Sequence, residues 1–193
     1  MGRSELENLL PRIVGVLDAV GVPYMIAGSV ASNVHGVERP RSDLDIVIDP
    51  DPATLEALVD ALPRADYHGS AEAGREALRT RTSFSVVDLA TATRIDLIVK
   101  KDRLFSHSEM ERRVRVDLHG CSVYVVSAED TIVAELEWSK EQGGAATQIR
   151  NAASILARRG DALDRAYVER WVAELGLADE WAMASAARTS STT

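Results

Sequence analysis

Residues 26–49 read IAGSVASNVHGVERPRSDLDIVID, and the rest of the chain is best understood outward from them. The apolar run Tyr24-Met25-Ile26-Ala27 ends at Gly28-Ser29, after which Val30, Val34 and Val37 recur at helical spacing. This is the pattern of a strand, a tight turn and a helix. Leu44-Asp45-Ile46-Val47-Ile48 reads as a second strand, closed by Asp49-Pro50-Asp51-Pro52, whose Asp and Pro suit the entry to a helix through Leu62. Asp43 and Asp45 stand two apart on that strand, so both carboxylates project from one face while Leu44, Ile46 and Ile48 take the other. Aspartate is disfavoured in strands, and two on one face beside a buried stripe need a reason.

Upstream, Ser4 and Glu7 form a capping-box pattern ahead of the helical stripe Leu6, Leu9, Leu10, Ile13, Val14 and Leu17, which stops near Gly21-Val22-Pro23. Downstream, residues 67–81 are polar, with Ser70 placed to cap a short helix. Strands are expected at 84–89 and 95–99, and a hairpin at 114–118 and 122–126 around His119-Gly120. Beyond Ser127 the apolar period changes from two to 3.6. Helices follow from Ser127 and Asp130 to about residue 141, over 147–159, and from Asp164 through 175, with Gly143-Gly144 and Gly160-Asp161 between them. The expected organisation is an α/β domain over 1–126, a helical region over 127–185, and a small, polar, flexible tail over 186–193.

Composition narrows the function classes. The 193 residues are 46% hydrophobic and 27% charged, ordinary values for a chain that buries a core. Asp and Glu number 30 against 22 Lys and Arg, a net charge of -8. That argues against a surface that grips nucleic acid everywhere and leaves room only for a local basic cleft. Cys121 is the single cysteine, so neither an intramolecular disulfide nor a cysteine zinc cluster can form. The start of the chain lacks the pattern of a secretion signal, and no apolar run approaches a membrane span. A cytoplasmic protein without a membrane partner is the expectation.

Asp96, between Ile95 and Leu97, has the same setting as Asp43 and Asp45. Alone it reads equally as a partner for Arg94 or Lys100. Three carboxylates converging from neighbouring strands repel unless a cation neutralises them. Hard oxygen ligands point to Mg²⁺ or Mn²⁺, and such a cluster can hold two ions about 4 Å apart. Gly28-Ser29 offers a complementary cradle, where a phosphate can approach the glycine backbone and meet the Ser29 hydroxyl. Arg39 and Arg41 either reach a triphosphate or sit in a solvated loop. Arg75, Arg79 and Arg81 are candidates for an acceptor groove, Arg112, Arg113 and Arg115 for an exposed edge strand. Trp138, Trp171 and Trp181 read as helix packing, Cys121 as packing, and His35 as polar filler.

At these residues the sequence resembles the nucleotidyltransferase superfamily that includes DNA polymerase beta. The resemblance rests on IAGSVASNVHGVERPRSDLDIVID and RIDLIV, and extends more weakly through EDTIVAELEWSK and QIRNAASIL, which look like the helical part of small bacterial abortive-infection toxins of type IV toxin-antitoxin systems. It covers about residues 20 to 175. It implies an α+β fold, a mixed β-sheet flanked by helices and followed by a C-terminal helical region. It also implies transfer of a nucleoside monophosphate from an NTP, with pyrophosphate leaving. Asp43, Asp45 and Asp96 would then ligate the metal, Asp96 would serve as base for the acceptor hydroxyl, and Gly28, Ser29 and Arg41 would bind the nucleotide. The acceptor is expected to be tRNA, a protein or a small molecule, and the toxin-like resemblance implies an antitoxin protein as a partner.

The chain departs from that pattern twice. Relatives often carry Lys where this chain has Glu135, and Arg-Asp where it has Arg150-Asn151. Lys140 lies five residues along the helix from Glu135, ~140° around its axis, and points elsewhere. The alternative expectation is therefore a non-catalytic member of the fold that binds a nucleotide or a partner protein.

Overall fold

The computed structural model describes residues 3–37 and 43–190. They divide into two compact units, residues 3–30 with 43–126, and residues 31–37 with 127–190.

In the first unit the sheet follows from how each segment distributes its apolar residues. Strand β1 (Tyr24–Ile26) is buried at all three positions, as its unbroken apolar run requires. In β2 (Asp43–Ile48), Leu44, Ile46 and Ile48 are buried and the alternate residues half-buried. The remaining strands are β3 (Tyr67–Gly69), β4 (Ser83–Asp88), β5 (Thr93–Val99), β6 (Val114–Leu118) and β7 (Cys121–Val125), giving a mixed sheet of order β3-β4-β5-β2-β1-β7-β6. β1 runs antiparallel to β2, while β2 is parallel to β5 and β1 is parallel to β7. The parallel pairs require crossovers, which the helices supply.

Helix α1 (Arg3–Val20) buries the expected stripe from Leu6 to Leu17 and starts one residue before the expected cap, Ser4. It ends in a Schellman motif. Gly21, at φ 76°, donates its N–H to Asp18 O, and Val22 N–H reaches Leu17 O at 3.0 Å. Helix α2 (Gly28–Val34) begins in the first unit and finishes in the second. Helix α3 (Pro52–Ala61) opens on a reciprocal capping box between Asp51 and Thr54, with Pro52 in the first turn. Helix α4 (Ala71–Thr80) is capped by Ser70 as the sequence suggested. Strand β3 and helix α5 (Leu104–Glu111) were not expected. No described helix is long and apolar enough to cross a membrane.

The second unit is helical: α6 (Ala128–Glu141), α7 (Ala146–Arg159), a short 3₁₀ turn over Gly160–Ala162, α8 (Arg165–Glu174) and α9 (Ala178–Ser190). Helix α9 corrects the expected tail for residues 186–190. The helix carries Ala178, Ala182, Ala184, Ala186 and Ala187, and alanine has the best helix propensity, so the helical segment runs on past residue 186. Residues 191–193 of the expected tail lie outside the described ones. Trp171 is buried edge-on to Tyr167 and Trp181 is half-buried under Arg165. Trp138 is 46% exposed, which corrects its reading as a packing residue.

Candidate active site

β2 and β5 carry the carboxylates. Their parallel register sets Asp43 beside Arg94 and Asp45 beside Asp96, while Leu44 faces Ile95 and Ile46 faces Leu97 on the buried side. One face of two adjacent central strands therefore presents Asp43, Asp45 and Asp96 together. The apolar residues between them, all fully buried, fix that orientation, because a register slip of one residue would turn every carboxylate into the core.

Two residues that the sequence reading had not assigned to the site complete this face. Arg94 Nη2 donates to Asp96 Oδ2 at 2.6 Å and to Asp43 Oδ2 at 3.2 Å. The guanidinium is held above its usual range by Asp96 first and Asp43 second. Ser85 on β4 donates its hydroxyl to Asp96 Oδ1 at 2.5 Å, directly across the ladder from it. Both signals were present in the sequence as polar residues alternating with Phe84, Val86 and Ile95, but only the strand order makes them neighbours. Asp96 is thus gripped at both oxygens, and Lys100, the other partner considered, instead pairs with Asp49 at 2.7 Å.

Gly28 closes the site from the end of β1. It has φ 56°, and a Cβ at this position would overlap the Asp45 carboxylate. Ala27 N–H bonds Asp45 O at 2.9 Å, so the main chain itself ties the turn to β2. Ser29 is buried at the next position. Glycine is needed here both for the left-handed backbone and for close approach. Arg41, and Arg39 with it, lie outside the described residues.

Among the described residues no three His, Cys, Asp or Glu side chains are gathered tightly enough to hold a metal ion. The donor set nevertheless fits a hard divalent cation: three carboxylates share one face, and two of them already share a positive charge, that of Arg94. Arg94 is 57% exposed.

Other candidates are occupied elsewhere. Arg75 forms a two-pronged pair with Glu56 and Arg79 one with Glu76. Arg113 lies over the Tyr124 ring, 4.6 Å from its centroid. A cavity lined by Asp49, Pro50, Asp51, Pro52, Leu78 and Arg81 sits past the far end of β2 from Asp43, and its carboxylates are engaged by Lys100 and Thr54.

In the second unit, Glu135 and Asn151 meet. Glu135 is buried and accepts from Asn151 Nδ2 at Oε2 (3.1 Å) and from Ser32 Oγ at Oε1 (3.2 Å). Lys140 donates instead to Gly176 O at 2.8 Å, holding the end of α8. His35 is buried and receives Arg159 Nη2 at Nδ1, 2.7 Å.

Neither a scan against protein-family models nor a search among curated proteins finds a match. Solved structures do. A nucleotidyltransferase-like antigenic protein of Paracoccidioides brasiliensis superposes with a TM-score of 0.56 at 18% identity, over 94% of this chain and 93% of that one. ANT(2″)-Ia, crystallised with adenylyl-2″-tobramycin, gives 0.58 at 15% identity over 91% of this chain and 98% of its own. A Thermotoga maritima protein classed as a nucleotidyltransferase gives 0.53 at 15%, over 78% and 93%. The chain shares the fold of these structures.

Proposed function

We propose that this protein transfers a nucleoside monophosphate from an NTP to an acceptor hydroxyl. The observation that carries the reading is the register of β2 and β5, which sets Asp45 beside Asp96 with Asp43 on the same face, closed by a glycine that leaves no room for a side chain against Asp45. Asp43, Asp45 and Asp96 would hold Mg²⁺ or Mn²⁺, which supplies charge neutralisation for the triphosphate and the leaving pyrophosphate. The residues do the rest. Gly28 and Ser29 would admit and bind phosphate oxygens at the end of β1, and Arg41 is assigned to the nucleotide by the sequence pattern alone. Arg94 swings out of the carboxylates toward solvent. Asp96, fixed at Oδ1 by Ser85, takes the acceptor's proton at Oδ2 as the acceptor oxygen bonds the α-phosphorus and the bond to the β-phosphate oxygen breaks.

The acceptor is a tRNA, protein or small-molecule hydroxyl. ANT(2″)-Ia, crystallised with adenylyl-2″-tobramycin, makes a small molecule a concrete option, and a toxin-antitoxin setting would favour tRNA. Incubation with labelled NTPs, Mg²⁺ and cell extract should label one of these classes, and Asp43→Ala, Asp45→Ala and Asp96→Ala should each remove the label. Labelling that survives all three changes refutes the assignment.

The bridge from Arg94 to Asp43 and Asp96 supports a second reading, a regulatory member of the fold that binds nucleotide without turnover. Calorimetry would then register NTP binding while pyrophosphate stays undetected.

A further inference from the structure

β6 is the outer strand beyond β7, and among the described residues it pairs with β7 alone. An edge strand presents a row of unpaired N–H and C=O groups, and the hairpin determines which ones. His119 (φ 56°) and Gly120 (φ 81°) form a two-residue turn with both residues left-handed, the type I′ geometry. Leu118 and Cys121 close such a turn as a bonded pair. Antiparallel alternation then directs the main-chain groups of Leu118, Val116 and Val114 toward β7, and those of Arg115 and Asp117 outward. Arg115 and Asp117 are exposed and share one face of the strand; Val114, Val116 and Leu118 share the other, with Val114 at 36% exposure.

We infer that β6 pairs antiparallel with β6 of a second copy of this chain, about a two-fold axis through Val116, joining two sheets edge to edge. In that register Arg115 stands opposite the partner's Asp117, and Asp117 opposite the partner's Arg115. These are the positions whose main-chain groups point outward, so backbone pairing and charge pairing select the same register. On the other face Val114 meets the partner's Leu118, and Val116 meets the partner's Val116. Both charged side chains are held in place: Arg115 Nε donates to Ser122 Oγ at 2.7 Å, and Asp117 Oδ1 accepts from Gly120 N–H at 2.9 Å. Charges on an edge strand ordinarily refuse strand addition. Here they favour a partner with the reverse order, which is what an antiparallel copy presents. The opposite edge, β3, has three residues and no such complementarity. A five-residue strand buries less than the ~1,000 Å² of a permanent interface, so the dimer exchanges with monomer.

Sedimentation velocity over a concentration series tests this. The wild type should show a monomer–dimer equilibrium. Arg115→Asp and Asp117→Arg each set two like-charge pairs across the axis and should weaken self-association by about tenfold or more. The two variants mixed should associate with each other, because one strand is then wholly acidic and the other wholly basic, and the doubly swapped chain should regain wild-type behaviour. Rescue by mixing shows that each variant is folded. A wild type that stays monomeric at every concentration, single reversals that leave association unchanged, or a mixture that fails to associate would overturn the inference.

Discussion

Gly28 shows how much one residue decides. Its backbone is left-handed and its α-carbon faces the Asp45 carboxylate so closely that any side chain displaces it. Gly28→Ala should therefore reduce nucleotidyl transfer by well over tenfold, through displacement of Asp45 and not through loss of the fold; circular dichroism alongside the transfer assay separates the two. Glu135 and Asn151 act as a pair. The Asn151 amide donates to the Glu135 carboxylate. Asn151→Leu removes that donor from a buried carboxylate and should cost about 1–3 kcal/mol in urea unfolding. Read from sequence, these two positions looked like losses of function; placed in space they are partners. Sequence periodicity cannot report a contact sixteen residues apart on two helices.

Among the elements, those with a strong apolar period were legible and the rest were not. The stripe of α1, the alternation of β2, the turn between β6 and β7 and the Ser127 start of α6 were all read from residue patterns. Helix α5 was missed because its pattern is weak: Leu104 is 76% exposed while the polar Ser106 is buried. β3 was missed because only Tyr67 of its three residues is buried. The carboxylate face was legible because β2 and β5 each show an aspartate between buried neighbours, whereas Arg94 and Ser85 gain meaning only once β4, β5 and β2 are known to adjoin. The contact between α1 and the end of β4 yields a pH prediction. Asp88 is fully buried; burial pushes its carboxyl up, but Thr91 and Arg12 outweigh that and hold it below the usual carboxylate range. Its stabilising contribution is thus complete above the unfolded pKa of about 3.9 and is lost as pH falls through the lower folded value. Asp88→Asn should melt at lower temperature than wild type at pH 7, with the difference shrinking under strong acid, as scanning calorimetry against pH can show.

At the scale of the whole molecule, the two units share helix α2, and all three tryptophans lie in the helical one. Tryptophan fluorescence along a urea series therefore reports on the helical unit, and far-UV circular dichroism on both. The Arg94 bridge has a consequence for biogenesis. A site built from acids alone would hinder its own assembly until a metal arrived. Here the Arg94 guanidinium on β5 offsets the like charges of Asp96 and Asp43 as the sheet forms, so folding is expected not to wait on a metal. Chelator should then leave the melting temperature of the wild type unchanged, while Arg94→Ala should melt lower in chelator and recover when Mg²⁺ is added. Under the proposed function, Arg94 leaves the ion to the chemistry and takes over its part in folding.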